Sequence, residues 1–563
     1  MTSKPVAYIA ALSALLLASA ALAAPMAKRP AALFNAAQMA AVIKAVGSDA
    51  FEGRGPNTPG ETKTIAYLSA QFRAAGLKPG GDLKGGRRSW TQAVPLLQSD
   101  LATPPALSLK LGGKSVVLTQ GEEIAVRSPM NGQSRVALAS APLLFVGYGV
   151  SAPERGWDDF KGMDVKGKIL VLLINDPDFE DGASDNQRGQ FGGKAMTYYG
   201  RWTYKYEEAA RRGAAGVMIV HETAPASYGW ATVKNSNTNT MFDIVRDHPA
   251  ASHTGFESWI QRDLAERLFA DNGSSLAAMK ATAQRKDFRP VPLKATLTAA
   301  LTATTATVTS HNVVGILPGS GHPDESIIYS AHWDHLGIGK PDANGDKIYN
   351  GALDNGSGLA MLIGQARAFS REPRPDRSVV FMAVTAEEKG LLGSEYYGQH
   401  PLYPLGKTVA MINTDVMGVY GPARDYSVRG LANFGLVDEL KGVATSMGRI
   451  FTPERHPETG SFYRSDHFSL AKVGVPAITY TPGLDLVNGG LAKGEAMAAD
   501  YTAKRYHQPD DEYSPEWDLS GMVEDGALLH ALGMRLANTR IWPNWAPDSE
   551  FRAARDRTAA DRN

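Results

Sequence analysis

From Asn312 to about Asn538 the chain alternates short apolar runs with amphipathic stretches, and this alternation limits the fold more than any other feature. The strand candidates are NVVGILP, SIIYSAH, SVVFMAVTA, KTVAMINTD and VPAITY, all nearly continuous apolar runs. Strands of that kind need cover on both faces. Between them, GSGLAMLIGQARAF places Leu359, Leu362, Ile363, Ala366 and Phe369 on one helical stripe. The pattern predicts an α/β fold, a mixed and mostly parallel sheet with helices on both faces.

In sheets of this kind ligands gather beyond the carboxyl ends of the strands, so polar residues that follow apolar runs are the ones to collect. SIIYSA leads into His332-Trp333-Asp334, SVVFMAVTA into Glu387-Glu388, and KTVAMINT into Asp415. Leu353-Asp354-Asn355 precedes the amphipathic helix, and Tyr506-His507-Gln508-Pro509-Asp510 comes late in the chain. Each has an ordinary explanation. A lone His is more often a satisfied core or surface residue, as the scatter of His335, His400, His456 and His467 illustrates. Glu-Glu before a helix suits the helix dipole, and Asp354 could cap the helix it precedes. Taken together, two imidazoles and three or four carboxylates at successive strand ends form an N/O ligand set that suits Zn, Mn or Co, with zinc the default. One carboxylate bridging two ions, with a His and a terminal carboxylate on each, would make a two-metal site.

The remainder of the chain adds context. Lys4 followed by an apolar run from Val6 to Leu22 and the small-x-small series Ala21-Leu22-Ala23 reads as a signal peptide over residues 1–23, implying export to the periplasm or medium and no membrane attachment afterwards. The chain has no cysteine, which removes disulfides and thiolate sites together. Lys plus Arg and Asp plus Glu both total 58, so no net field favours nucleic acid or an anionic membrane, and a small or peptide-like partner is the better expectation. Between Ala36 and Leu77 two helices are expected around FEGRGPNTPGE, with Ile65, Leu68 and Phe72 at helical spacing in the second. Residues 140–290 change texture, with strand-like APLLFVGYGV, KGKILVLLI and AGVMIVH and a helix at KYEEAARRGA. Residues 541–563 are expected to be a frayed tail.

Two resemblances follow from these residues. KGKILVLLIND and YEEAARRGAAGVMIVHE resemble the protease-associated domain of exported peptidases, which makes 140–290 an inserted unit; the competing reading is one more strand-and-helix piece of a larger sheet. AHWDHLG, GALDNGSG, TAEEKGLLGS, NTDVMG and YHQPDDEY, in that order, resemble the co-catalytic zinc aminopeptidase family that includes glutamate carboxypeptidase II and the catalytically silent transferrin receptor. The resemblance covers about 305–540 and extends to the opening helices, so 35–135 is taken as the N-terminal part of the same peptidase domain. It implies two zinc ions per chain, with Asp354 bridging, His332 and Asp415 completing one ion and Glu388 and His507 the other. It implies Glu387 as general base, acting on a hydroxide-forming water shared by the two metals, and Asp334 as the acid that accepts the other N–H of His332. Tyr506 is the implied oxyanion donor, with Tyr463 as the alternative. The implied activity is that of an aminopeptidase on peptide substrates; a carboxypeptidase, a glutaminyl cyclase, a dipeptide-restricted peptidase and a receptor-like binding protein are the other expectations.

Overall fold

The computed structural model describes residues 33–181 and 190–562. The expected signal segment 1–23 lies outside the described residues. The chain opens with helix α1 (Ala36–Val46), whose first turn is capped by the Asn35 side chain accepting from Gln38 N–H. Helix α2 (Pro59–Ala74) follows, started by Thr58 at its cap and Pro59 in its first turn, and it buries Leu68 and Phe72.

The principal strands of the two sheets are, in chain order, β1 (Thr91–Leu101), β2 (Arg135–Phe145), β3 (Ile169–Leu173), β4 (Gly216–His221), β5 (Met241–Ile244), β6 (Phe256–Gln261), β7 (Val291–Leu317), β8 (His322–His332), β9 (Arg377–Val384), β10 (Thr408–Thr414), β11 (Asp425–Val428) and β12 (Ala477–Pro482). In the first sheet β9, β8, β10 and β12 lie side by side and parallel. Antiparallel β11 lies beyond β12, and the end of β7 lies antiparallel to β9. Beyond β7 the sheet continues through antiparallel β1 and β5. The sheet is mixed with a parallel centre, as the apolar runs predict.

Helices cover it on both faces. On one side α1, α2, α4 (Gly356–Ser370) and α5 (Ser520–Ala537) bury Val42, Ile43, Leu68, Leu359, Leu362, Leu528 and Leu532 against Ile327, Phe381 and Ile412. On the other, Tyr397 and Leu470 close over Ile328, Val380 and Met411. Each such fully buried Leu or Ile contributes roughly 1.5–3 kcal/mol relative to exposure.

In the second sheet β2, β3, β4 and β6 run parallel. It also takes in three strands from the segment 35–135: Ala106–Leu111, paired with β7, Lys114–Val117, paired with Ala106–Leu111, and Ile124–Val126, paired with β6. In the other direction β5, from within 140–290, pairs with β1 of the first sheet. The 27-residue strand β7 serves both: residues 291–302 pair with β2, and residues 303–313 pair with β1. Among the described residues no helix is long and apolar enough to cross a membrane.

The segment beyond 541 is packed, not frayed. Trp545 and Phe551 are buried in the main core, where Phe434 stacks on Trp545 at 4.4 Å, and buried Arg555 donates to the carbonyl of Thr408. Its Arg, Asp and Ala content suggested solvent exposure, but two aromatic side chains outweigh that composition.

The two sheets are also joined by charge. Arg246 binds Asp243 of β5 at 2.7 Å and Glu395, which follows β9, at 3.1 Å. His253 sits between Asp243 and Glu257, at 3.2 Å and 3.0 Å. Burial alone would lower the His253 pKa, but the Glu257 and Asp243 carboxylates outweigh it and raise it to about 9. A group raised in the folded state stabilises fully below its unfolded pKa of about 6.5, and that stabilisation, roughly 3 kcal/mol at most, is lost as pH rises through the folded value. Melting temperatures followed from about pH 6 to about pH 10 should therefore fall more steeply for the wild type than for His253→Gln. Parallel curves would remove this pair from the stability balance.

Candidate metal centre

The carboxyl ends of the parallel strands converge on one point. β8 ends on His332, the turn after β9 carries Glu387 and Glu388, and Asp415 follows β10. Asp354 stands just before α4, where Asn355 caps the helix by accepting from Gly358 N–H at 2.9 Å. A Cβ on Gly358 would collide with Asn355 Oδ1 and the Thr414 carbonyl, so glycine is what lets α4 reach the end of β10. His507 arrives from the loop after helix Gly490–Lys504. Three residues beside the ligands or among them have left-handed backbone without being glycine: Ala386 (φ 52°), Val416 (φ 61°) and His507 (φ 56°). For a β-branched Val this is a costly conformation, of the kind that clusters at functional sites.

The two oxygens of Asp354 face two different partners. Oδ1 lies 3.3 Å from His332 Nε2, which is itself 3.4 Å from Asp415 Oδ1. Oδ2 lies 3.4 Å from His507 Nε2, which is 3.0 Å from Glu388 Oε2. These separations are mostly long for charge-assisted hydrogen bonds. They match the edge of a tetrahedron, about 3.3 Å for ligands about 2.0–2.1 Å from a common ion. The sets His332/Asp354/Asp415, His332/Glu387/Glu388 and His335/Asp354/Glu388 each bring ligand atoms within 4.8 Å of one another. All five expected ligands and the expected base therefore meet at one place.

The electrostatics call for cations. Asp354, Glu388 and Asp415 are held below the usual carboxylate range: burial opposes this, but the His332 and His507 rings at Asp354, His507 at Glu388 and Arg429 at Asp415 prevail. Burial would lower the pKa of His332 and His507, yet the surrounding carboxylates, Glu387 foremost for His332 and Glu388 for His507, push both well up. The imidazoles hold protons where a divalent ion would supply the positive charge, so the donor set fits a metal. Glu387 differs from its neighbour. Both side chains line a cleft, but burial together with Asp415 and Glu388 raises the Glu387 pKa well above the ordinary glutamate value.

Comparison with known proteins bears on this arrangement. Residues 312–530, the part that carries every ligand, match the model for Peptidase family M28. The chain is similar to a probable zinc metalloprotease of Pyrenophora tritici-repentis, 27% identical over 210 residues, 36% of this chain and 47% of that protein. It is similar to aminopeptidase YwaD of Bacillus subtilis, 36% identical over 114 residues, 20% of this chain and 22% of the relative. The chain thus spans less than half the length of these curated relatives. Among solved structures, an aminopeptidase from Aneurinibacillus sp. strain AM-1 aligns over 92% of this chain and 98% of its own, with a TM-score of 0.53 and 20% identity, a likeness of fold.

Within the M28 segment, Asp334 departs from expectation in one contact. His332 Nδ1 is 3.1 Å from the Asp334 backbone carbonyl but 3.8 Å from its carboxylate. The carboxylate instead receives the backbone N–H of Glu387 at 3.0 Å and of Glu388 at 3.3 Å, fixing the turn that bears both. The Tyr506 hydroxyl lies 3.1 Å from Arg464 Nη2, and burial raises its pKa, so it stays a donor. Tyr463 packs among Tyr198, Phe462 and Phe468.

Several supports were not singled out from sequence. Arg429 and Ser465 each hold Asp415 Oδ2 at 2.8 Å. Asp511 accepts from the N–H groups of Leu353 and Asp354, both at 3.0 Å. His335 Nδ1 approaches Glu388 Oε1 at 2.6 Å, and its ring meets His507 edge-on. Asp511 and His335 do lie inside quoted motifs, YHQPDDEY and AHWDHLG, so their proximity to ligands in sequence was the available signal.

Proposed function

We propose that the protein is an exported zinc metallo-exopeptidase that binds two zinc ions and acts as an aminopeptidase on peptide substrates. The observation that carries this reading is the two-sided Asp354 carboxylate, with a His and a carboxylate gathered at each oxygen. The names of similar proteins, zinc metalloprotease and aminopeptidase, agree with it. His332, Asp354 and Asp415 would hold one ion, and His507, Asp354 and Glu388 the other. Bound zinc would supply Lewis-acid polarisation of the scissile carbonyl and a lowered pKa for water. Glu387, in one cluster with His332 and Glu388, takes a proton from the attacking water and delivers it to the leaving amine. Tyr506, oriented by Arg464, donates to the developing oxyanion. Residues 140–290 are read as a protease-associated domain bordering the cleft, and residues 1–23 as the export signal.

A specific observation favours a second reading, a carboxypeptidase of the glutamate carboxypeptidase type. Arg201 and Arg464 both line the cleft, and neither has a carboxylate partner among the described residues. Arg201 is 8% exposed, and its Nε is buried without a hydrogen bond. An unpaired buried guanidinium is costly unless a ligand anion completes it, and a peptide carboxylate is such an anion. Assay on free-amine, N-blocked and C-terminal-glutamate peptides, with metal analysis of the same preparation, separates the readings. Cleavage confined to free-amine peptides with close to two zinc per chain supports the first. Cleavage of N-blocked peptides ending in glutamate replaces it with the second. Absence of bound metal would sink both.

A further inference from the structure

The two halves of the metal pair are held by different parts of the chain. Asp415 is fixed by Arg429 and Ser465 and His332 by the Asp334 carbonyl, all within the M28 segment. The other half leans on helix α3 (Trp230–Asn237), which lies between β4 and β5 in the inserted stretch. Ser236 Oγ is 2.8 Å from His507 Nδ1. Asn235 Nδ2 donates to the His507 carbonyl at 3.0 Å, and Thr232 to the Tyr506 carbonyl at 3.4 Å. Just beyond the helix, Asn239 Oδ1 accepts from Lys389, the residue after Glu388, at 2.8 Å.

We infer that Ser236 is a positioning residue through which the inserted unit sets the affinity of the Glu388/His507 metal site, while the His332/Asp415 site is independent of it. The inference rests on the metal-pair reading above. His507 turns Nε2 toward the Asp354 and Glu388 carboxylates, so Nδ1 carries the hydrogen and Ser236 Oγ accepts it. That bond fixes both the tautomer and the tilt of the ring. The bond from Asn235 acts on the backbone of the same residue, where the left-handed conformation of His507 needs an external hold. Without Ser236 a buried N–H loses its acceptor and the ring is free to rotate off the site. The inserted unit thereby governs one ion of the two, and a chain in which α3 has shifted would retain metal only at the other site.

Titration of the metal-free full chain with Co2+, followed by visible absorption and by competition against a chelator, tests this. The wild type should show two sites, and Glu388→Gln identifies the absorption that belongs to the His507 site. In Ser236→Ala that site should weaken about 10–100-fold while the other keeps its affinity. Ser236→Thr, which restores the hydroxyl, should recover it, and Asn235→Ala should weaken the same site with Ser236 in place. Equal weakening of both sites, or none, would overturn the inference and leave the metal pair standing. Failure of the wild type to bind Co2+ would overturn both.

Discussion

Glu387→Gln is expected to lower peptide hydrolysis by about 10²–10⁴-fold while the chain keeps its metal. The substitution preserves shape and removes only the capacity to take up a proton. The turn itself should hold, because Asp334 grips it through the backbone N–H groups of residues 387 and 388, not through the Glu387 side chain. Glu388 keeps its place between His507 and His335. Parallel measurement of turnover and zinc content checks this: loss of metal together with activity would mean that the base and ligand roles of the adjacent glutamates are exchanged.

Arg54→Met is expected to destabilise the protein by roughly 3–5 kcal/mol and to reduce metal retention. The Arg54 side chain is fully buried, and its guanidinium donates to the carbonyls of Val46, Trp333, Asn350 and Gly351 at 2.5–2.8 Å. Those carbonyls belong to the end of α1, to the residue after His332 and to the loop that leads to Asp354. Burial lowers its pKa to about 10, held there by Asp511, Asp334, Asp354 and Glu388, so it remains a cation at neutral pH. Met fills similar volume but leaves the carbonyls of Val46, Trp333 and Asn350 without donors, Gly351 keeping the Gly356 N–H, and removes a positive charge from beneath a cluster of acids. Denaturant unfolding with and without added zinc would measure the loss. A change under about 1 kcal/mol would mean that water or backbone adjustment replaces the guanidinium.

The cluster of candidate ligands was legible in the sequence because a parallel sheet turns adjacency in space into a simple rule: whatever follows an apolar run ends up at the same edge. His332, Glu388 and Asp415 obey it directly, and Asp354 and His507 complete the set. Arg54 and Ser236 were not legible for the opposite reason. Apart from Val46, their partners lie hundreds of positions away, and neither a lone Arg between glycines nor a Ser in a polar helix announces burial against a ligand. Division of the adjacent glutamates also lay beyond periodicity, since residues 387 and 388 share one turn and only their separate neighbours distinguish them. Strands 106–126 were grouped with the peptidase part because sequence proximity says nothing of register; hydrogen bonding to β6 and β7 assigns them to the second sheet.

β7 has a mechanical consequence. Its first half is stitched to β2 and its second half to β1, with no unpaired linker between them, so on this side the two sheets share one continuous beam. A hinge needs a few residues free to change φ and ψ, and within β7 such freedom would require breaking ladder bonds. Relative movement of the two sheets along this strand therefore takes the form of elastic bending of that beam, with small amplitude.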